Sequence, residues 1–342
     1  MGRQFITPLQ DASIYEQVPS RNTGADEILE VGKTRETGGA ARALIQFDVS
    51  KFIAPSGSEF FLNLRIAHAE KFQRNQTVEF YVVSESWDEG TGFFEQDLVN
   101  PRDGASWINR TAVAWTNGNG TASLGGGTGS LVETSSFDWK PTDIRLNVTE
   151  LVSNWIASGS FSGSTDNGLL IKIPSADETS SAVNTNIRFF SRNTHTVYPP
   201  TLEAVWNTQT INVAPNCGLS LAPEEIEIFV QNLRPEMTSG STHRIRFGVR
   251  GSNIVKSFTN AARFQGGFFL PTDSHIGVKD AATNAFIVPF DTGSLLSVDN
   301  TGSYFDLKIE NMYINRTYKI LVRTTKPGGT EVIDTGHTFR VV

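Results

Sequence analysis

The 342-residue chain holds one cysteine, Cys217. A single thiol cannot close an internal bridge, which excludes a disulfide-stapled scaffold. Charge is also scarce. Asp, Glu, Lys and Arg make up 19% of the residues, against about a quarter in ordinary globular chains. The balance is acidic: 29 Lys and Arg against 36 Asp and Glu give a net charge of −7. Nothing in that balance neutralises phosphate, so nucleic acid is not an expected partner. No apolar run reaches the ~18 residues of a membrane-crossing helix, and no membrane insertion is expected. The opening stretch MGRQFITPLQDASIYEQ is interrupted by Asp11 and Glu16 before any apolar run of leader length, so no signal peptide is expected.

Catalytic and metal-binding signatures are equally sparse. The five histidines, His68, His195, His243, His275 and His337, are scattered, and none pairs with a Glu and a second His in a zincin pattern. His68 lies opposite the apolar face of its segment and reads as a surface side chain. Cys217 has no legible His partner or cationic surroundings to activate it. Val31-Gly32-Lys33-Thr34 mimics the end of a phosphate loop, but Glu27 stands where the first glycine belongs. Five Asn-x-Ser/Thr sequons, at Asn75, Asn109, Asn119, Asn147 and Asn315, read as chance matches in a Thr- and Asn-rich chain without an export signal. No cofactor and no metal are expected, and the chain does not read as an enzyme.

What the sequence does contain is short alternating apolar runs. Residues 42–49, RALIQFDV, place Ala43, Ile45, Phe47 and Val49 on one face, and residues 60–69, FFLNLRIAHA, do the same with Phe60, Leu62, Leu64 and Ile66. Residues 78–84 and 144–148 follow the same period of two, which marks half-buried strands. Residues 168–174, GLLIKIP, suit a strand buried on both faces. One helix is expected over 149–157, TELVSNWIA, with Thr149 capping it, Glu150 at the positive end of its dipole, and Leu151, Val152, Trp155 and Ile156 on its apolar face. At nine residues it must dock on a sheet to persist. Gly118–Gly129 reads as a flexible surface or contact loop.

A boundary is expected near 206–223, where periodicity lapses and prolines enter. Residues 1–207 carry 16 basic and 24 acidic residues, a net −8, while 208–342 carry 13 and 12, a net +1. Beyond the boundary, alternation resumes over 225–230, 243–250, 317–323 and 338–341. In HRIRFGVR, Ile245, Phe247 and Val249 face inward and Arg244, Arg246 and Arg250 outward. The expected organisation is therefore all-β: a first domain over 1–207 with one short helix, a linker over 208–223, and an immunoglobulin-like sandwich over 224–342.

Two sets of residues carry the functional possibilities. Acids cluster at Glu85, Asp88, Glu89, Glu95, Asp97 and Asp103, without the spacing of an EF-hand, and read as a solvated acidic loop. A glycosidase would need two of them, such as Glu89 and Glu95, as acid and base. All six tryptophans, Trp87, Trp107, Trp115, Trp139, Trp155 and Trp206, lie in the first domain. Trp155 and Trp206 read as core. Trp107, Trp115 and Trp139 lie near loops and are the candidate platforms for stacking on sugar rings.

The order of several segments resembles the DNRLRE family of jelly-roll-like β-sandwich modules, related to carbohydrate-binding modules. The carrying residues are Asp11-Ala12-Ser13-Ile14, Asn22-Thr23-Gly24, Leu29-Glu30-Val31-Gly32, Arg42 to Asp48 leading into Phe47-Asp48-Val49-Ser50, Ser86-Trp87-Asp88-Glu89-Gly90, and Gly104-Ala105-Ser106-Trp107. Leu146-Asn147-Val148-Thr149, Val152-Ser153-Asn154-Trp155, Asn167-Gly168-Leu169, Phe190-Ser191-Arg192 and Pro200-Thr201-Leu202 complete the series, with Asn147 where Asp is commoner. The resemblance covers nearly all of 1–207 and implies a binding or structural module. In the second domain, Arg244-Ile245-Arg246-Phe247, Phe269-Leu270-Pro271, Val288-Pro289-Phe290-Asp291, Tyr304-Phe305 and Tyr318-Lys319-Ile320 are similar to a C-terminal domain of virion structural proteins of large marine bacteriophages. Together the resemblances imply a virion structural protein of a tailed phage, in neck, tail, baseplate or capsid, assembled in the host cytoplasm. Its implied partners are other virion proteins in a symmetric or homo-oligomeric arrangement. The alternative is an adhesin for host-surface glycans.

Overall fold

The computed structural model describes residues 2–34, 38–71, 75–95, 103–116, 124–137, 142–213, 220–221, 226–251, 268–310, 312–326 and 329–342. The chain divides into two compact units, Gln4–Ala204 and Val205–Val342 with Met1–Arg3. The fold is all-β, with two sheets in each unit's sandwich.

In chain order, the strands up to residue 206 are β1 (Gly2–Ile6), β2 (Gln10–Tyr15), β3 (Ile28–Lys33), β4 (Ala40–Gln46), β5 (Glu59–Leu64), β6 (Ile66–Glu70), β7 (Gln76–Val83), β8 (Thr128–Phe137) and β9 (Ile144–Asn147). After helix α1 (Thr149–Ser158) come a two-residue ribbon, β10 (Ser160–Phe161) with β11 (Ser164–Thr165), then β12 (Leu169–Lys172), helix α2 (Ser175–Thr179), β13 (Asn186–Phe190) and β14 (Thr201–Trp206). One sheet runs β1-β14-β5-β9, and the larger runs β6-β13-β3-β4-β12-β7-β8, with β2 also paired to β4. Leu62, Leu64 and Leu202 from the smaller sheet and Val31, Ala43, Ile45, Phe80, Ile171 and Ile187 from the larger are buried. All four residues of β12 are buried, the apolar Leu169, Leu170 and Ile171 and then Lys172, which meets Glu178 at 3.3 Å.

The run over 60–69 is two strands rather than one. The chain turns at Arg65, so that β5 belongs to the smaller sheet and β6 to the larger. Asp143 holds this corner, accepting from Arg65 Nη1 at 2.6 Å and from the Ile66 N–H at 2.9 Å.

Helix α1 docks Leu151, Val152 and Trp155 inward, while Ile156 stays half exposed. Its capping differs from expectation. Val148 is the N-cap residue and contributes no side-chain bond. Asn147 Oδ1 instead accepts from the Thr149 N–H at 2.9 Å, which leaves the Thr149 hydroxyl to accept from the Phe60 N–H of β5 at 2.8 Å. The helix stops at Gly159, whose φ of 73° is left-handed and suits a residue without a side chain. The second helix, α2, is a single turn too short to leave a periodic signal.

The remaining strands are β15 (Ser220–Leu221), β16 (Ile226–Val230), β17 (Glu236–Met237), β18 (Thr242–Gly251), β19 (Phe268–Phe269), β20 (His275–Asp280), β21 (Phe286–Val288), β22 (Ser297–Asp299), β23 (Gly302–Lys308), β24 (Thr317–Lys326) and β25 (Gly329–Val341). A four-stranded sheet, β16-β18-β23-β22, and a five-stranded one, β17-β25-β24-β20-β21, enclose Ile245, Phe247, Ile276, Val278, Phe305, Leu307, Tyr318, Ile320, Val322 and Phe339. Strands β15 and β19 form a short parallel pair.

Candidate functional site

The larger sheet of the first unit has a second apolar face. Ala12 and Ile14 of β2, Leu44 of β4, Leu170 of β12 and Val83 of β7 form one buried patch with Trp87, Trp107, Trp115 and Ala105 from the chain that follows β7. On an exposed sheet this patch would be the natural floor of a ligand groove. Here the protein's own tryptophans cover it. Trp87 Nε1 donates to Asn167 O and Trp115 Nε1 to Ser106 O, both at 2.8 Å, so each indole is apolar against the sheet and satisfied at its polar edge. Arg42 lies over the Trp107 ring at 4.7 Å and donates to Gly125 O at 2.6 Å.

This overturns the stacking role expected of two residues. Trp115 is 0% exposed and Trp107 is 7% exposed, so neither offers a ring face to a sugar. They sit near loops because the loops are the cover. Trp139 lies outside the described residues. The glycine-rich segment also differs from expectation where it is described. Gly125, Gly126 and Gly127 are buried between the tryptophans and the sheet. A Cβ on Gly126 would stand 2.5 Å from Leu170 Cδ1, and one on Gly127 would stand 3.1 Å from the Trp115 ring. The glycines are there so that backbone can pass where no side chain fits.

The acids of the 85–103 stretch serve local structure. Glu85 accepts from the Thr116 N–H at 2.7 Å and its hydroxyl at 2.6 Å. Asp103 accepts from the Thr91 hydroxyl at 2.6 Å. Glu89 accepts from the Asp11 N–H at 3.0 Å and from Arg192 Nη1 at 3.3 Å. Asp88 and Glu95 are exposed, and Asp97 lies outside the described residues. The described residues contain no group of three or more His, Cys, Asp or Glu side chains arranged to hold a metal ion.

Asp11, absent from the sequence-based candidates, is the most perturbed carboxyl of this unit. Burial pushes its pKa up to about 7; the Arg192 N–H, at 2.7 Å from Oδ2, opposes that shift, and neighbouring Glu89 adds to it. Asp26 and Asp166 are each raised to about 6, again chiefly by burial. The signal for Asp11 was its position in an otherwise inward-facing strand, β2. Three of the histidines have ordinary structural surroundings, while burial holds His275 below the usual imidazole range. His68 is exposed beside Glu70 at 3.2 Å, His243 meets Ser241 Oγ at 2.8 Å, and His337 Nδ1 lies 2.7 Å from Thr335 O. Cys217 lies outside the described residues.

On the second unit, the outward arginines of β18 are neutralised across the sheet. Arg244 makes a two-point bond to Asp306 of β23 at 2.7 and 2.8 Å. Arg246 does the same to Asp299 at 3.0 and 2.9 Å, and Arg250 Nε meets Glu227 of β16 at 2.7 Å. The Tyr304 ring lies 4.1 Å from Arg244 and 5.5 Å from Arg246. The arginine bonds hold Asp299 well below the usual carboxylate range and lower Asp306 as well. Each of these three guanidinium groups is thus matched by a carboxylate.

No family model and no curated protein matches the chain. Among solved structures, a DUF4785 family protein from Legionella pneumophila is similar over 100% of this chain and 65% of that one, at 6% identity and a TM-score of 0.18. A likeness of that size carries no argument.

Proposed function

We infer that the protein is a non-enzymatic structural component of a tailed-bacteriophage virion, assembling through protein–protein contacts. The observation that carries the structural part of this reading is the self-covered sheet of the first unit. The side chains that a ligand or a reaction would use are engaged in holding the fold: Trp87, Trp107 and Trp115 in the cover, and Glu85, Glu89 and Asp103 in hydrogen bonds. A module of this kind supplies shape and contact area. The phage assignment rests on the segment resemblances in both domains, and the particle's other proteins are the partners it implies.

Mass spectrometry of purified particles tests it, with the chain expected in a fixed copy number that survives density-gradient purification. Recovery of the chain only in the soluble host fraction would sink the assignment. The glycan-adhesin alternative loses Trp107 and Trp115 as platforms and would have to use another aromatic, such as Tyr198, which is exposed and stacked on Phe190 at 5.9 Å. A glycan array probed with the intact chain separates the two readings, and silence is the expected result.

A further inference from the structure

Among the described residues, the sandwich of the second unit lacks cover along one side. In the five-stranded sheet, the inward residues of β24, Tyr318, Ile320, Val322 and Thr324, are all 0% exposed. Their neighbour β25 ends as well covered, with Phe339 and Val341 buried, but Ile333, Thr335 and His337 earlier on the same strand are only half buried. Ile333 stands directly opposite Val322 in the ladder, and the register shifts between Lys319 and Leu321, beside Thr335 to His337, where Gly336 has a φ of 70°. Strand β16 is the outermost of the facing sheet, and its inward residues Ile226, Ile228 and Val230 are 8–9% exposed, a leaking edge beside a sealed core. Between β16 and β25 lies a cleft of about 590 Å³.

The backbone on this side is open to pairing. Gln231 N–H donates to Arg246 O at 2.9 Å, which fixes the alternation of the β16–β18 ladder. Residues 227, 229 and 231 bond to β18, so the N–H and C=O groups of Ile226, Ile228 and Val230 point away from it. Among the described residues no strand pairs with that edge. One more strand beside β16 would satisfy these groups and lie over Ile333, Thr335 and His337. The rim sets its chemistry: among the described residues the cleft is lined by Glu227, Glu331 and Asp334, with Arg250 bonded to Glu227, around Ile226, Ile228 and Ile333.

We propose that the β16–β25 cleft is a docking site for an extended strand of another polypeptide, with apolar residues turned inward and basic residues turned outward. Main-chain bonds to β16 supply the pairing, as in other cases of strand addition to a sheet edge. The apolar residues complete the core, and the basic ones meet the acidic rim. The inference stands apart from the virion assignment, because it is read on the purified chain with no particle present.

The test uses the full chain and a fluorescently labelled nonapeptide of alternating lysine and valine. Saturable binding is expected below about 100 µM, in the range of single-strand docking. A glutamate–valine peptide, and a lysine–valine peptide N-methylated on the pairing edge, should each bind at least about tenfold more weakly. The exposed double substitution Glu227→Lys with Asp334→Lys should reverse the preference toward the glutamate–valine peptide. Hydrogen exchange at Ile226, Ile228 and Val230 should slow on binding. No saturation by 1 mM lysine–valine peptide, equal binding of the two charge patterns, or unchanged exchange at those three amides would overturn the proposal.

Discussion

The guanidinium carbon of Arg42 lies 4.7 Å from the centre of the Trp107 ring, while its Nε and Nη2 each bond to Glu178 at 2.8 Å. One side chain thus ties helix α2, the larger sheet and the tryptophan cover together. Lys172 Nζ shares the same carboxylate at 3.3 Å, and the side chains of all three charged residues are largely buried. Removing Arg42 leaves a buried carboxylate with a single cation and uncovers the Trp107 ring. Arg42→Ala should cost roughly 2–4 kcal/mol of stability, and Arg42→Lys should restore little, since an ammonium cannot make the two-point bond. Urea unfolding followed by tryptophan emission measures both, with the native emission of Arg42→Ala shifted to the red.

The glycines of the cover and those of open turns should respond very differently to the same added methyl group. Gly126 has a φ of 90° and would drive its Cβ to 2.5 Å from Leu170 Cδ1, whereas Gly163, at a φ of 82°, would meet nothing within 4 Å. Gly163→Ala bears only the backbone strain, about 1 kcal/mol. Gly126→Ala adds overpacking against the core and should lose roughly 2–4 kcal/mol. Equal losses in a denaturation series would show that the 125–127 segment is not packed as described.

The two units should answer pH in opposite directions. Burial raises Asp11 to about 7, and Asp26 and Asp166 to about 6, from the ordinary carboxyl value of 3.8. The fold favours their protonated forms, so their contribution is fully present below about pH 4 and is lost as pH rises toward 7. Asp299 and Asp306, held low by Arg246 and Arg244, behave the other way. Their contribution is present above about pH 4 and is lost only as pH falls below it. Calorimetry from pH 8 to pH 5 should therefore raise the transition of the first unit and lower that of the second, where burial holds His275 below the usual imidazole range. Asp11→Asn should raise the first transition at pH 8 by a few degrees, at about 2–4 °C per kcal/mol recovered, and flatten its pH dependence.

Tyr318 is fully buried, and its hydroxyl accepts from the Tyr313 N–H at 2.8 Å. Tyr318→Phe keeps the ring and removes the acceptor, leaving a backbone N–H short of its partner. The expected loss is about 1–2 kcal/mol. Accelerated hydrogen exchange at the Tyr313 amide, with no change at Ile320, would identify the lost bond as the cause.

The sequence showed which residues share a face but not what covers that face. Period-two alternation found Ala43 with Ile45, and Ile245 with Phe247, because a half-buried strand needs nothing else to be legible. It passed over β8, whose Ser- and Thr-rich residues are mostly exposed, and β25 before residue 338, for the same reason. It ran through the corner at Arg65 because alternation continues on both sides while the sheet changes. For Trp107 and Trp115 the failure was of another kind: proximity to glycine and polar loops suggested exposure, and only the apolar patch of Ala12, Ile14, Leu44 and Leu170 explains why those loops lie flat. These partners come from three separate strands, and no local pattern joins them.

That separation has a kinetic consequence. The floor under the tryptophans is assembled from β2, β4, β7 and β12, whose residues span positions 10 to 172, while the cover itself lies between β7 and β8. The cover cannot settle until β12 has inserted between β4 and β7, so burial of Trp87, Trp107 and Trp115 is a late event in folding. Pairings this distant along the chain close slowly. On the ribosome, the tryptophans emerge well before the strand that completes their seat, and they wait in contact with water until it arrives.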